Sequence, residues 1–405
     1  RTLTGTLGIE MGEVAFGSAH YHALFGVAAV LLVITLVINS TATVIIGRIR
    51  GTQGLPGQKP LRLSSAVTGG LIAAFRGISS QQTFKGFQAA VVSLLHILAM
   101  PLVWLARAID SLHAVFFIHQ LRKRVFHPIT AQRGAFFLIA LSVGIVLVIL
   151  GIILFEIIVN GAGAISWEFL TQSPRNLGRD GGILPAIVGT LCLVGGALVF
   201  ALPMGIATAI YLIEYTVDNG LTRGIRTAVD LLNGTPSIVF GLFGFAFLVL
   251  FLNFGVSMIA GQITLGLMIL PTVIRTTEES LRSIPASLRE GSYALGATKW
   301  QTIWRVVLPP ALPGILTGAI LSIGRAAGET APIMFTAVVF SSKFLPSSLS
   351  EPVMALPYHL FILTTTVPGA SVQKYGTAFV LLIMVLSIYF VAILVRRRYR
   401  SAKVI

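Results

Sequence analysis

The sequence predicts an all-α polytopic membrane protein with about seven transmembrane helices, since a span needs roughly 20 mostly apolar residues. Of its 405 residues, 55% are hydrophobic and 11% are charged, whereas a soluble domain carries about 25% charged residues. The formal charge of +15 comes from Lys and Arg residues that flank the apolar runs, as the positive-inside rule expects. That distribution disfavours nucleic-acid binding, which needs a basic face on a soluble domain.

The N-terminal third contains one predicted span, Ala23–Ile46, with basic residues after it, so its C-terminal end is expected on the cytoplasmic side. The Gly- and Pro-rich stretch 51–64 is typical of a linker. Residues 65–127 have basic residues on both flanks, and a single span would place one flank outside. We therefore favour interfacial or re-entrant helices on the cytoplasmic side over a span, and treat 51–127 as one linker region.

The main body, 128–405, has a regular pattern of six predicted spans. This arrangement places its basic clusters on the cytoplasmic side. Just below the fourth of these spans, Glu278 and Glu279 are expected to pair with Arg275 and Arg282. The six predicted spans are Phe136–Val159, Ile183–Ile213, Leu231–Phe251, Val256–Ile274, Leu312–Phe340 and Ala378–Val395.

A charged loop, 287–313, separates the fourth and fifth of these spans and is expected to be cytoplasmic. We predict a short amphipathic helix that ends at Gly296, and a following helix that starts near Pro309. Small residues on one face would fit a cleft of a partner protein; the alternative is an ordinary charged loop. The residues assigned to coupling are Glu290, Gly291, Ser292, Gly296, Lys299, Leu308 and Pro309, with Trp300 at the edge.

The segment 325–332, RAAGETAP, places ionisable residues inside the fifth predicted span. An arginine at bilayer depth costs about 2.5–3.5 kcal/mol on insertion scales, and such residues are functional candidates. Arg325 and Glu329 share one helix face at this spacing. They either neutralise each other as a structural pair, or Arg325 faces a pathway for an oxyanion with Glu329 holding it and Thr330 beside it.

Other features restrict the function. Asn233-Gly234-Thr235-Pro236 is expected to break the chain before a transmembrane helix, where its residues either line the pathway or permit close packing. The chain has no Gly-Lys dipeptide and hence no phosphate-binding loop, so we expect no ATP hydrolysis and no catalytic residue in it. The single cysteine, Cys192, and the scattered histidines indicate no metal site.

Two parts of the chain resemble known families. The 290–309 loop resembles the EAA loop of ABC-importer permeases, with Gly291, Ser292 and Val306 in place of Ala, Ala and Ile. Over 128–405 the chain resembles the PstA phosphate permeases, through RAAGETAP and the segments 211–215, 233–244 and 269–285. Residues 9–46 resemble the C-terminal span of PstC, so 1–50 is assigned as a PstC-like segment of a truncated fusion. An unrelated extra span is the alternative.

The resemblance implies a type I ABC-importer permease fold and phosphate import by alternating access. It also implies a PstC-like permease as heterodimer partner, a PstB-like ATPase dimer that binds ATP-Mg, and a PstS-like phosphate-binding protein. The chain itself would need no cofactor and would lie in a bacterial or archaeal cytoplasmic (inner) membrane. Alternatives are a permease for sulfate, molybdate or phosphonate, and an anion channel or scaffold that needs no ATPase.

Overall fold

The computed structural model of the protein describes residues 7, 10, 23–35, 128–217 and 219–401. The predicted linker at 51–127 and residues 36–46 of the first predicted span lie outside these residues. The chain divides into two compact units, one formed by Arg1–Thr41 with Phe155–Ile405 and the other by Ala42–Leu154.

The described chain is helical, with one small antiparallel hairpin. Its first half contains α1 (Ala23–Thr35), α2 (Pro128–Ala162), α3 (Trp167–Thr171), β1 (Pro174–Arg175), a 3₁₀ turn (Asn176–Gly178), β2 (Asp180–Gly181), α4 (Leu184–Ile210) with a π-turn (Tyr211–Tyr215), α5 (Gly220–Asn233), and α6 (Ser237–Gly244) with a π-turn (Phe245–Phe251). Its second half contains α7 (Met258–Arg282), α8 (Ala286–Ala294), α9 (Lys299–Thr302), a π-turn (Ile303–Val307), α10 (Leu308–Gly328), α11 (Ala331–Met334), α12 (Leu356–Thr365) and α13 (Ser371–Ser401).

Within the described ranges, 5 helices are long and apolar enough to cross a membrane, or up to 6 if the bent pair α5–α6 counts as one span. This result confirms the predicted polytopic all-α architecture and matches the six-span pattern of the main body. The five unbroken spans are Phe136–Ala162, Leu184–Tyr215, Met258–Arg282, Lys299–Gly328 and Ser371–Arg398.

The predicted span Leu231–Phe251 is not one straight helix. Helix α5 ends at Asn233, and α6 starts at Ser237 after a bend of 103°. The cause is local, because Pro236 disfavours helical geometry at the residue before it and cannot donate an N–H to the preceding turn. The predicted break at 233–236 is therefore confirmed, but it separates two helices of different direction.

The predicted span Leu312–Phe340 is wrong at both ends. The helix extends back to Lys299 through the π-turn and stops at Gly328, after which Glu329 is extended, with ψ 133°. Pro332 favours the stop, because it has no N–H to donate to the Gly328 carbonyl and its ring would clash with that carbonyl in a continuous helix. The chain then forms only the short α11 and an isolated bridge between Val338 and Val353.

Helix α7 is the central helix of its unit, packed between α4 and α10. Of the residues in the apolar stretch of α7, 61% are buried, whereas none are buried in the apolar stretches of α2 and α13. A β-carbon at Gly205 on α4 would lie 2.6 Å from the Val273 side chain of α7, so the glycine permits this close approach. Buried Leu193, Leu265 and Met268 fill the interface.

The N-terminal helix α1 packs against the second arm of the bent pair. Leu24 and Ala28 are buried beside Ile238, Leu242 and Phe245. The described part of the first predicted span is therefore folded onto the main body, and its assignment as a PstC-like segment stays a prediction.

Candidate functional site

The loop after α7 folds into the predicted short helix, α8, which has no buried residue. It ends in a Schellman motif: the Gly296 N–H donates to the Tyr293 carbonyl at 2.9 Å, and the Ala297 N–H donates to the Ser292 carbonyl at 3.2 Å. Gly296 has φ +80°, a conformation that glycine adopts without strain. The expected end of the helix at Gly296 is confirmed.

The small-residue face of α8 differs from the prediction at one position. A β-carbon at Gly291 or Gly296 would meet no atom within 4 Å in the described chain, so both glycines are open to a partner. Ser292 instead points inward, with its hydroxyl 2.9 Å from the buried Thr302 hydroxyl. Glu290 is exposed, and Leu295 is 90% exposed, so an apolar side chain adjoins the open glycines.

The second part of the loop begins the helix that enters the membrane. The Lys299 ammonium lies 4.9 Å from the centre of the Tyr215 ring, and Trp300 is exposed. From Lys299 the chain is helical through the π-turn into α10, whose first turn contains Leu308 and Pro309. Pro309 therefore begins a segment of a continuous helix, whereas the sequence predicted the start of a separate one.

An ion pair that the sequence analysis missed fixes α8 to the membrane helices. Arg289 donates from Nε and Nη2 to Glu214 Oε1 at 3.1 and 2.8 Å, and from Nη1 and Nη2 to the carbonyls of Ile284 and Leu281 at 2.8 and 2.9 Å. The Glu214 side chain is 5% exposed. The available signal was a lone acid at the end of a predicted span, but the 75-residue separation hides its partner.

A second buried carboxylate, Glu278, joins α5 to α7. It accepts from Arg275 Nη1 at 3.0 Å, as predicted, and from Arg226 Nε at 3.3 Å. Arg275 also pairs with Asp230 of α5. Glu278 is 4% exposed, and Glu279 is exposed. These ion pairs and hydrogen bonds form a network that holds α5 and α7 together.

Arg325 lies in the last turn of α10 and has a different environment. Its Nε is 3.8 Å from Glu329 Oε1, too long for a hydrogen bond, and within the described ranges its guanidinium donates no hydrogen bond. The side chains of Arg325 and Glu329 are 32% and 21% exposed. Thr330 follows as the N-cap of α11 and is partly exposed. The predicted pair is thus adjacent in space, although Glu329 has left the helix.

The two groups of predicted residues are connected by one helix. Lys299 lies at its start and Arg325 at its end, roughly 40 Å apart at an α-helical rise of about 1.5 Å per residue. The loop has an exposed surface, and at the far end the Arg325 guanidinium donates no hydrogen bond to another described residue. Among the described residues no group of His, Cys, Asp and Glu could hold a metal ion.

Comparison with known proteins gives consistent matches. The family model described as binding-protein-dependent transport system inner membrane component matches residues 201–402. The phosphate transport system permease protein PstA 1 of Mycobacterium tuberculosis (strain CDC 1551 / Oshkosh) is 36% identical over 284 residues, which is 67% of this chain and 92% of that protein. PstA of Yersinia pestis is 40% identical over 232 residues, 57% of this chain and 77% of that protein.

One solved structure supports the fold. It is the crystal structure of a bacterial alginate ABC transporter in complex with an alginate pentasaccharide-bound periplasmic protein. The similarity has a TM-score of 0.50 at 17% identity and covers 68% of this chain and 98% of the other.

The membrane helices and the exposed helix α8 with its turn at Gly296 fit the matched family. Together with these matches they define a permease subunit of an ABC importer with the type I fold. The chain belongs to the PstA family of phosphate transport system permeases.

Proposed function

We propose that this permease carries inorganic phosphate across the inner membrane by alternating access, driven by ATP hydrolysis on a separate chain. The observation that supports it is the guanidinium of Arg325, which donates no hydrogen bond to any described residue, in a chain 36% identical to a phosphate transport system permease over 92% of that protein.

Arg325 suits an oxyanion because its planar fork can make two parallel hydrogen bonds to a tetrahedral anion. Glu329 at 3.8 Å balances the charge when the pathway is empty, without occupying the donors. Thr330 follows Glu329 in the chain and adds a partly exposed side chain with a hydroxyl. A phosphate ion would displace no existing hydrogen bond of Arg325 within the described residues.

The energy input is assigned to α8 and its surroundings. The open glycines Gly291 and Gly296 with exposed Leu295 would dock into a cleft of a PstB-like ATPase dimer, which binds ATP-Mg. A PstC-like permease would complete the pathway, and a PstS-like protein would deliver phosphate from outside. ATP hydrolysis then belongs to the partner, and this chain is not an enzyme.

The choice of anion is tested with the assembled transporter in proteoliposomes. ATP-dependent uptake of radiolabelled phosphate is expected to resist an excess of sulfate, molybdate or phosphonate. Sulfate uptake that excess phosphate does not affect would contradict phosphate as the substrate, because arginine by itself binds any tetrahedral oxyanion. Phosphate flux without ATP would indicate a channel.

Docking is tested at Gly296. A Gly296→Asp variant is expected to insert into the membrane but to lose the ATPase in co-purification. A β-carbon at Gly296 would meet no atom within 4 Å in the described chain, so a loss is assigned to the interface with the partner once the backbone strain of a non-glycine residue at φ +80° is controlled for. Gly369→Asp is the matched control, since Gly369 also has a positive φ, +82°, and open surroundings, but lies between α12 and α13. Retention of the ATPase by Gly296→Asp would exclude this docking mode.

A further inference from the structure

The contacts between α8 and the π-turn at the end of α4 form a connected set. Arg289 of α8 makes two hydrogen bonds to the nearly buried Glu214 of that turn. The neighbouring Tyr215 of the same turn lies against the ammonium of Lys299. The π-turn therefore contacts residues on both sides of the Gly296 turn.

Arg289 also connects α8 to α7. Its other hydrogen bonds go to the carbonyls of Leu281, in the last turn of α7, and of Ile284, two residues beyond the end of that helix. The planar guanidinium can satisfy all these acceptors at once, whereas a lysine ammonium of the same charge cannot match their geometry. A displacement of α8 must therefore move the ends of α4 and α7 or break several hydrogen bonds to a charged group.

We infer that Glu214 and Arg289 are positioning residues that transmit movement of α8 to the membrane helices, so that ATP hydrolysis is coupled to anion transport. The inference rests on the proposed function and identifies the residues through which its energy input acts. Neither residue is part of the exposed docking surface, because both side chains are largely buried, at 5% and 18% exposure. A variant that lacks this ion pair should therefore still bind the ATPase but transport less anion.

The decisive measurement is the number of phosphate ions imported per ATP hydrolysed by the reconstituted complex. Glu214→Gln, which keeps the side-chain shape and removes the charge, is expected to retain the ATPase and its hydrolysis rate but to lower this ratio at least about tenfold. Arg289→Lys should act in the same way, because lysine keeps the charge but not the geometry. The matched controls are Glu279→Gln and Arg282→Lys, at exposed positions of α7, and these should keep the wild-type ratio.

Two results for Glu214→Gln would contradict the inference. A wild-type ratio in Glu214→Gln would show that the pair does not transmit movement. If the Glu214→Gln variant loses the ATPase in co-purification, the pair is needed for binding of the ATPase and not for transmission of movement. Should Arg289→Lys fail to assemble, Glu214→Gln decides alone. If the wild-type complex imports no phosphate, the proposed substrate fails, and the same ratio is then measured with the anion that it does import.

Discussion

Arg289 of α8 and Arg275 of α7 differ from Arg325 in how completely their donors are used. Arg289 makes four hydrogen bonds, and Arg275 bonds to Glu278 and to the Arg226 carbonyl and pairs with Asp230. Arg325 has only the 3.8 Å contact with Glu329 among the described residues. Saturated arginines hold helices together, whereas an unsaturated arginine at the end of a membrane helix keeps its binding capacity for a ligand.

The largest effect is expected at Arg325, whose donors are kept for a ligand. Arg325→Gln is expected to reduce phosphate uptake about a hundredfold, since each hydrogen bond to a charged group contributes roughly 1.5–3 kcal/mol. Assembly and melting temperature should stay near those of the wild type, because no hydrogen bond within the described chain is lost. Retained uptake would assign Arg325 a structural, neutralising role.

A saturated arginine network should give the opposite result. Glu278→Gln is expected to lower the free energy of unfolding by roughly 1–3 kcal/mol, because it removes the buried negative charge that accepts hydrogen bonds from Arg226 and Arg275. Thermal unfolding of the purified chain measures this change. Glu279→Gln, at the adjacent exposed position, should change stability by less than about 0.5 kcal/mol. Equal stability of the two variants would contradict the structural role of Glu278.

The smallest effect is expected at Lys299, whose contact with Tyr215 is a cation–π interaction. Lys299→Gln should cost about 0.5–1 kcal/mol of stability and reduce the phosphate imported per ATP by about two- to fivefold if the contact assists transmission. Lys374→Gln is the control, since Lys374 makes a similar contact with Tyr375 at 4.8 Å at the other end of the molecule. An equal drop in the ratio for both variants would exclude a specific role of Lys299.

The sequence was sufficient for features that depend on neighbouring residues. The apolar runs predicted the membrane helices. Gly296 predicted the end of α8, and residues 233–236 predicted the break before α6. Each follows from local chemistry: the length of an apolar run, a glycine that accepts a positive φ, or a proline without an N–H.

Features that depend on distant residues were not accessible in this way. The pairing of Glu214 with Arg289 joins positions 75 residues apart, and the inward orientation of Ser292 depends on Thr302. The fifth predicted span ended too late because the apolar run continues past Gly328, and hydropathy does not register the effect of Pro332 on the helix. The angle of 103° between α5 and α6 was likewise not predicted, since a proline marks a break but permits many angles.

The π-turn Ile303–Val307 has a consequence for the far end of its helix. The Leu308 N–H donates to the Ile303 carbonyl, five residues back, as a π-turn requires. Each residue of an α-helix rotates the chain by about 100°, so if this turn closed to α-helical geometry with all its residues kept, the whole of α10 would rotate by about that angle. The direction in which Arg325 points is therefore set by the backbone of a single turn about 30 Å away along the helix.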